Sequence, residues 1–232
     1  MTEVSRHSAR FRLGGLSGID MISHALDTYR DRMALVSSFG AESAVLLHMA
    51  AQVSKDIPVI FLDTGKLFAV THDYQADLAA RLGLNNLRTI HPETEDIKTE
   101  DRLGALWRED PDRCCTIRKT WPLNRALKGF DAWVTGRKKF QNTDRKQASG
   151  VQTQDDRLIL SPLLNWPKPD LDAYFETHGL PPHPLVREGY LSIGCFTCTL
   201  PVGAGEDQRA GRWQGQAKTE CGIHRPVLNP AA

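Results

Sequence analysis

The sequence predicts an α/β fold, a Rossmann-like, mostly parallel sheet with helices on both faces, followed by a mobile C-terminal tail. Short apolar runs of strand length alternate with stretches of helical periodicity, which is the pattern of successive βα units. Two of these runs end in loops of small and polar residues, where open parallel sheets place their ligands. The tail is set apart by Gly203, Gly205, Gly211, Gly215 and Gly222, a density that suits a moving segment. The chain therefore divides into a loosely ordered lead-in over residues 1–18, an α/β domain over 19–202 and a mobile tail over 203–232.

A chain of 232 residues can bury one sizeable core. Lys and Arg number 29 against 28 Asp and Glu, so no global field points to nucleic acid or a membrane surface, and any anion site must be local. The N-terminal region carries Arg6, His7, Arg10 and Arg12 without an apolar signal core, and Glu3 argues against a transit peptide. No run is long enough to span a bilayer. These features fit a soluble chain in a reducing compartment, the cytoplasm, where thiols stay free.

In order, Ile22, Ala25, Leu26 and Tyr29 give residues 20–29 the spacing of an amphipathic helix. The apolar run 33–37 then reaches Ser37-Ser38-Phe39-Gly40-Ala41-Glu42-Ser43, and residues 44–53 have helical periodicity. Strand, small-residue loop and helix together aim free backbone N–H groups at an anion. An ordinary βα turn is the plain alternative, since the loop lacks the Walker and dinucleotide fingerprints. Residues 58–63 form a second buried strand ending at Thr64-Gly65-Lys66, followed by a helix over 67–82. Asp63, Thr64 and Lys66 then lie beside the Ser37 loop. Residues 87–90 are a weaker third strand, after which the chain is polar from Glu93 to Glu100.

Asp112 is placed to cap a helix that runs through Cys114 and Cys115 toward Leu127. One turn on, Arg118 lies over Cys114 and Lys119 over Cys115. Residues 132–135 form another strand, which ends in Gly136-Arg137-Lys138-Lys139-Phe140-Gln141 and Asp144-Arg145-Lys146. This densest basic segment reads as a loop for phosphate or sulfate. A nucleic-acid patch would need basic and aromatic residues over a broader face, and only Phe140 is interleaved. Residues 157–160 are a final strand, residues 170–178 a short helix ended by Gly179, and Pro181-Pro182-His183-Pro184 a turn. Trp107, Trp121, Trp133, Trp166 and Trp213 read as packing residues, and the histidines, His183 included, lack ligand-like spacing.

The cysteines carry the chemistry. Cys114 and Cys115 are adjacent and Cys195 and Cys198 form a C-x-x-C pair. Adjacent cysteines make a disulfide framework a poor reading and a shared inorganic centre a good one. An iron–sulfur cluster is the working reading, with structural zinc the alternative. Cations one helical turn from Cys114 and Cys115 would offset the negative charge of thiolates and cluster. Cys221 is left over, in a tail whose Arg209 and Arg212 are spaced to close over an anion. An odd exposed cysteine is a liability unless it is used.

In this order of motifs, from about residue 33 to 224, the sequence resembles the iron–sulfur type of assimilatory sulfonucleotide reductase, the adenylyl-sulfate and phosphoadenylyl-sulfate reductase family. The resemblance implies an adenine nucleotide alpha-hydrolase-like fold and a [4Fe–4S] cluster on Cys114, Cys115, Cys195 and Cys198. It matches Ser37, Ser38, Phe39 and Gly40 to a modified pyrophosphate loop and Asp63, Thr64 and Gly65 to a second nucleotide motif. Lys66 stands where arginine is common. Gly136, Arg137 and Arg145 match a basic substrate loop, and Lys119, Arg209, Arg212 and Cys221 match the catalytic groups. The implied reaction reduces adenosine 5′-phosphosulfate to sulfite and AMP through a Cys221 S-sulfo intermediate, with thioredoxin or glutaredoxin as electron donor. The same chemistry on the 3′-phosphorylated substrate is one alternative. An ATP-using tRNA-thiolation type of enzyme is another, although its Ser-Gly-Gly-x-Asp-Ser loop is missing from the sequence. Association into a homo-oligomer is left open.

Overall fold

Six strands form one sheet: β1 (Met33–Ser37), β2 (Val59–Leu62), β3 (Leu87–Ile90), β4 (Ala132–Thr135), β5 (Val151–Gln154) and β6 (Arg157–Leu160), in the order β3-β2-β1-β4-β6-β5. Every neighbouring pair is parallel except β5 and β6, as the predicted mostly parallel sheet requires. The structure is a computed structural model that describes residues 12–224. Residues 1–11 of the predicted lead-in and 225–232 of the predicted tail lie outside the described residues.

β1 and β4 are buried along their whole length, because helices cover both faces of the sheet. Alternate side chains go to opposite cores. Met33, Leu35, Val59, Phe61, Ala132 and Val134 join one cluster with α1 (Gly18–Tyr29), α2 (Ser43–Val53), α3 (Ala69–Leu82) and α8 (Lys168–Thr177). Ala34, Val36, Ile60, Trp133 and Ile159 join the other, which Leu123, Leu127 and Phe130 close. Leu13 is fully buried in the first cluster, so the lead-in is tied to the core at that residue.

Three local features differ from the sequence reading. The polar stretch from Glu93 to Glu100 and the residues after it form two short helices, α4 (Thr94–Glu100) and α5 (Leu106–Glu109), neither of which buries a residue. β5 is a polar edge strand paired antiparallel to β6 through Asp155 and Asp156, both at positive φ (47° and 63°), the backbone of a tight hairpin turn. The cap of the cysteine helix is Asp110 rather than Asp112. The Asp110 carboxylate accepts the Arg113 N–H at 2.8 Å and Pro111 takes the first helical position of α6 (Pro111–Cys115). Asp112 pairs instead with Lys218 of the tail.

Candidate active site

β1 lies between β2 and β4, so the chain order reverses beside it. The crevice beyond the strand ends at such a reversal is the ligand position of open α/β sheets. A cavity of about 210 Å³ opens there, lined by Ser37, Ser38 and Gly40 after β1, Thr64 after β2 and Gly136 and Arg137 after β4. Lys119, Arg145, Arg209, Arg212 and Cys221 line it as well. Six basic side chains, with Lys138 the sixth, face two carboxylates, Glu42 and Glu220. A chain with net charge +1 thus concentrates positive charge at one place.

The loop after β1 is shaped from inside. Phe39 adopts φ +48° and buries its ring edge-on to Phe61, and its N–H donates to Ser37 Oγ at 3.1 Å. A Cβ on Gly40 would stand 3.2 Å from the Ile193 carbonyl oxygen, so glycine lets the segment before Cys195 close on the loop. Much of the basic loop's charge is already paired. Lys138 Nζ donates to Glu42 at 2.8 Å, and Arg137 donates to Gln152 and Ser161. Burial, then the neighbouring Arg145, brings Arg137 down to about 10.

The cysteine helix widens into a π turn at Thr116–Thr120 before α7 (Trp121–Ala126). Pro122 has no N–H for the Arg118 carbonyl, which is where the ladder must change. Arg118 is buried and committed, donating to the Thr64 carbonyl at 2.8 Å and to Asp101 at 2.6 Å. Lys119 faces the cavity instead. Burial opposes its charge, but Cys195, Cys115 and Cys221 outweigh that effect and hold its pKa above the ordinary lysine value.

Cys114, Cys115 and Cys195 are buried, Cys198 and Cys221 half-buried, and all five are free. Phe196 N donates to the Lys66 carbonyl and Thr64 Oγ1 lies 3.2 Å from Cys195 Sγ. These bonds bring the C-x-x-C loop to the end of β2, which Arg118 ties to the cysteine helix. Burial pushes the Cys114 thiol up to about 12, so a thiolate there needs a compensating positive centre. Four soft sulfur donors from two segments suit an iron–sulfur cluster or zinc in donor type. Among the described residues no three Cys, His, Asp or Glu side chains stand preset as a metal group.

The tail through residue 224 packs over this loop. Leu200 N donates to the Gly211 carbonyl at 2.8 Å, and Arg212 Nε and Trp213 N both donate to the Cys198 carbonyl. Buried Trp213 is surrounded by Arg209, Arg212 and Lys218, at 5.6, 4.4 and 5.5 Å from its ring centre. Beyond Cys221, Ile223 packs on the second core and His224 stacks on Trp133 with centroids 5.0 Å apart.

Of the residues singled out from sequence, Ser37, Ser38, Gly40, Thr64, Lys119, Gly136, Arg137, Arg145, Arg209, Arg212 and Cys221 share the cavity. Phe39, Asp63, Gly65 and Lys66 do not line it. Phe39 belongs to the core, Asp63 accepts the Gly65 N–H at 2.9 Å, and Lys66 Nζ donates to the Gly104 carbonyl at 2.8 Å. Glu42, Ser192, Glu220 and His224 line the cavity without having been singled out. Glu42 belongs to the loop after β1, and Glu220 and His224 to the stretch Glu220-Cys221-Gly222-Ile223-His224 around the thiol, and membership of those motifs was their sequence signal.

A doubly wound sheet that gathers an anion loop, basic side chains and a thiol at its switch point defines a nucleotide-type α/β enzyme domain. Residues 32–201 match the phosphoadenosine phosphosulfate reductase domain, and the chain belongs to that family. It is 48% identical to an adenosine 5′-phosphosulfate reductase of Chelativorans sp., over 94% of this chain and 89% of that protein. A protein of the same name from Mesorhizobium japonicum is 47% identical over 91% and 84% of the two chains. The crystal structure of a phosphoadenylyl-sulfate reductase from Candida auris, a phosphate complex, superposes with a TM-score of 0.71. It is 25% identical, covering 86% of this chain and 98% of that one.

Proposed function

We propose that this chain reduces adenosine 5′-phosphosulfate to sulfite and AMP in sulfate assimilation, the route to cysteine biosynthesis, through a covalent S-sulfo intermediate on Cys221. The observation that carries the reading is that Cys221, Lys119, Arg209 and Arg212 line one cavity with the loop after β1. The relatives' names supply the substrate.

The residues act in order. Backbone N–H groups at the start of α2, with Ser37 and Ser38, receive the phosphate. Lys119, Arg209 and Arg212 offset the sulfate charge beside Cys221. The thiolate attacks sulfur, the S–O bond to phosphate breaks, and AMP leaves with the electron pair. One thiol of a dithiol protein, thioredoxin or glutaredoxin, then attacks Cys221 Sγ and expels sulfite. The second donor thiol resolves the mixed disulfide and returns Cys221 as a thiol, so the donor supplies both electrons.

Cys114, Cys115, Cys195 and Cys198 are the residues for a [4Fe–4S] cluster, whose contribution when bound is electrostatic and structural. Lys119 links that region to the substrate because it shares a helix with Cys114 and Cys115. The reading places the chain in the cytoplasm, and among the described residues no helix is long and apolar enough to cross a membrane.

The test is the intact mass of anaerobically purified protein after incubation with adenosine 5′-phosphosulfate and no thiol, beside Cys221→Ser. A sulfite adduct on the parent protein alone is expected. An adduct that forms only with the 3′-phosphorylated substrate reassigns the substrate, and none with either removes the reaction.

A further inference from the structure

The structure assigns Glu220, Arg145 and Asn142 a positioning role: together they pin the reacting thiol of Cys221 in the cavity. This deepens the proposed function and rests on it for the identity of the nucleophile.

Every guanidinium nitrogen of Arg145 already donates to a protein acceptor, two of the three to the tail. Its Nε and Nη2 both donate to the Glu220 carboxylate, the second at 2.9 Å, and its Nη1 donates to Gln141. Asn142 Nδ2 donates to the same carboxylate at 2.7 Å, while Arg209 Nη2 approaches it at 3.4 Å. Asn142 also accepts the Arg145 N–H at 2.9 Å, so the receiving side is itself fixed. The side chains of Arg145 and Glu220 are 13% and 15% exposed, little enough that water does not replace the contact readily.

The neighbours of Cys221 explain the consequence. On its N-terminal side the tail is held by this ionic pin, and on its C-terminal side by Ile223 and His224 against the second core. Cys221 sits between two anchors, with Gly222 at φ +86° making the turn. A thiol held this way is delivered to a small anion inside the cavity. It reaches a protein-sized donor only after the pin releases. Burial opposes the Glu220 carboxylate, but Arg145, then Arg209 and Asn142, hold it down to about 2, so the pin stays charged at every pH of interest.

The test is the alkylation rate of Cys221 by iodoacetamide in the anaerobic holoprotein without substrate, read on the tail peptide by mass. Glu220→Gln, Arg145→Gln and the double variant are compared with the parent. Fast reclosing makes the rate report the open population. Each single variant is expected to raise labelling at least ~10-fold, and the double variant to match a single one rather than multiply the two. Turnover should fall in kcat with KM for the sulfonucleotide little changed. Unchanged labelling, independent effects of the two substitutions, or a rise in KM alone for Arg145→Gln overturns the proposal. Two variants in different elements guard against one failing to fold. If the parent forms no sulfite adduct while labelling follows the cycle, the proposed reaction fails and the pin stands.

Discussion

A Cβ at Gly194 would stand 2.4 Å from an Arg212 guanidinium nitrogen, and one at Gly211 would stand 2.0 Å from the Leu200 carbonyl oxygen. Neither glycine has positive φ among the described residues, so space rather than backbone conformation requires each. The two obstacles respond differently. The Arg212 guanidinium is the end of a flexible side chain and can swing away, whereas the Leu200 carbonyl is backbone, in a residue whose N–H is held by the Gly211 carbonyl. Gly194→Ala should therefore leave the melting temperature within about 2–4 °C of the parent, a change of roughly 1 kcal/mol. It should slow adduct formation by about 10²-fold, the usual cost of a misplaced charge-stabilising donor. Gly211→Ala should instead cost about 1–3 kcal/mol as overpacking does, visible as a lower melting temperature. Thermal melts and single-turnover mass measurements separate the two. A Gly194→Ala protein with the parent's adduct rate would show that the position of Arg212 does not matter to the reaction.

At the scale of elements, His183 joins α3 to the 3-10 segment Pro184–Glu188. Leu185 N–H donates to His183 Nδ1 at 3.2 Å, so the ring proton lies on Nε2 and is donated to Thr71 Oγ1 at 3.1 Å. A proton on Nδ1 would face the Leu185 N–H. Burial accordingly brings His183 down to about 4, from an ordinary value near 6.5. Between those values the unfolded chain holds a proton that the folded chain lacks, so stability is full above pH ~6.5, falls on acidification and levels below pH ~4. The loss is about 2–3 kcal/mol. Urea unfolding at pH 7.5 and 4.5 should show it. His183→Asn keeps an acceptor for Leu185 and should flatten the difference; an equally steep pH dependence in that variant would assign the effect elsewhere. The same elements show what was legible. β1, β2 and β4 read clearly because strands buried on both faces are apolar throughout. β5 did not, because Gln152, Thr153 and Gln154 lie on an edge that water wets on one side, and the Asp155-Asp156 turn carries no glycine. α4 and α5 bury no residue, so they leave no apolar period to find.

The whole molecule hangs its tail on the C-x-x-C loop. Thr199 bridges Arg212, Leu200 pairs with Gly211, and the Cys198 carbonyl accepts from both Arg212 and Trp213. The loop is in turn held to β2 by Leu67 and Lys66. The order of cysteines, basic residues and loops announced this site in the sequence, since donor type and spacing are one-dimensional. That Arg145 meets Glu220, or that Arg118 is spent on Asp101, was not legible, because a charge in a polar stretch looks solvated until the fold brings its partner from a distant segment. The proposed metal centre on Cys114, Cys115, Cys195 and Cys198 would cross-link the cysteine helix and the base of the tail. Metal binding of that kind is folding free energy. Stripping the metal anaerobically, or replacing Cys198 with Ser, should lower the melting temperature by at least about 5 °C, on the order of 2 kcal/mol. The first new cleavages in limited proteolysis should fall between residues 203 and 224. Iron and sulfide content, melts and cleavage mapping on one preparation check this. A stripped protein whose tail resists protease as well as the loaded one would mean that Thr64, Lys66 and Leu67 alone hold the loop, and that the thiols are needed only for chemistry.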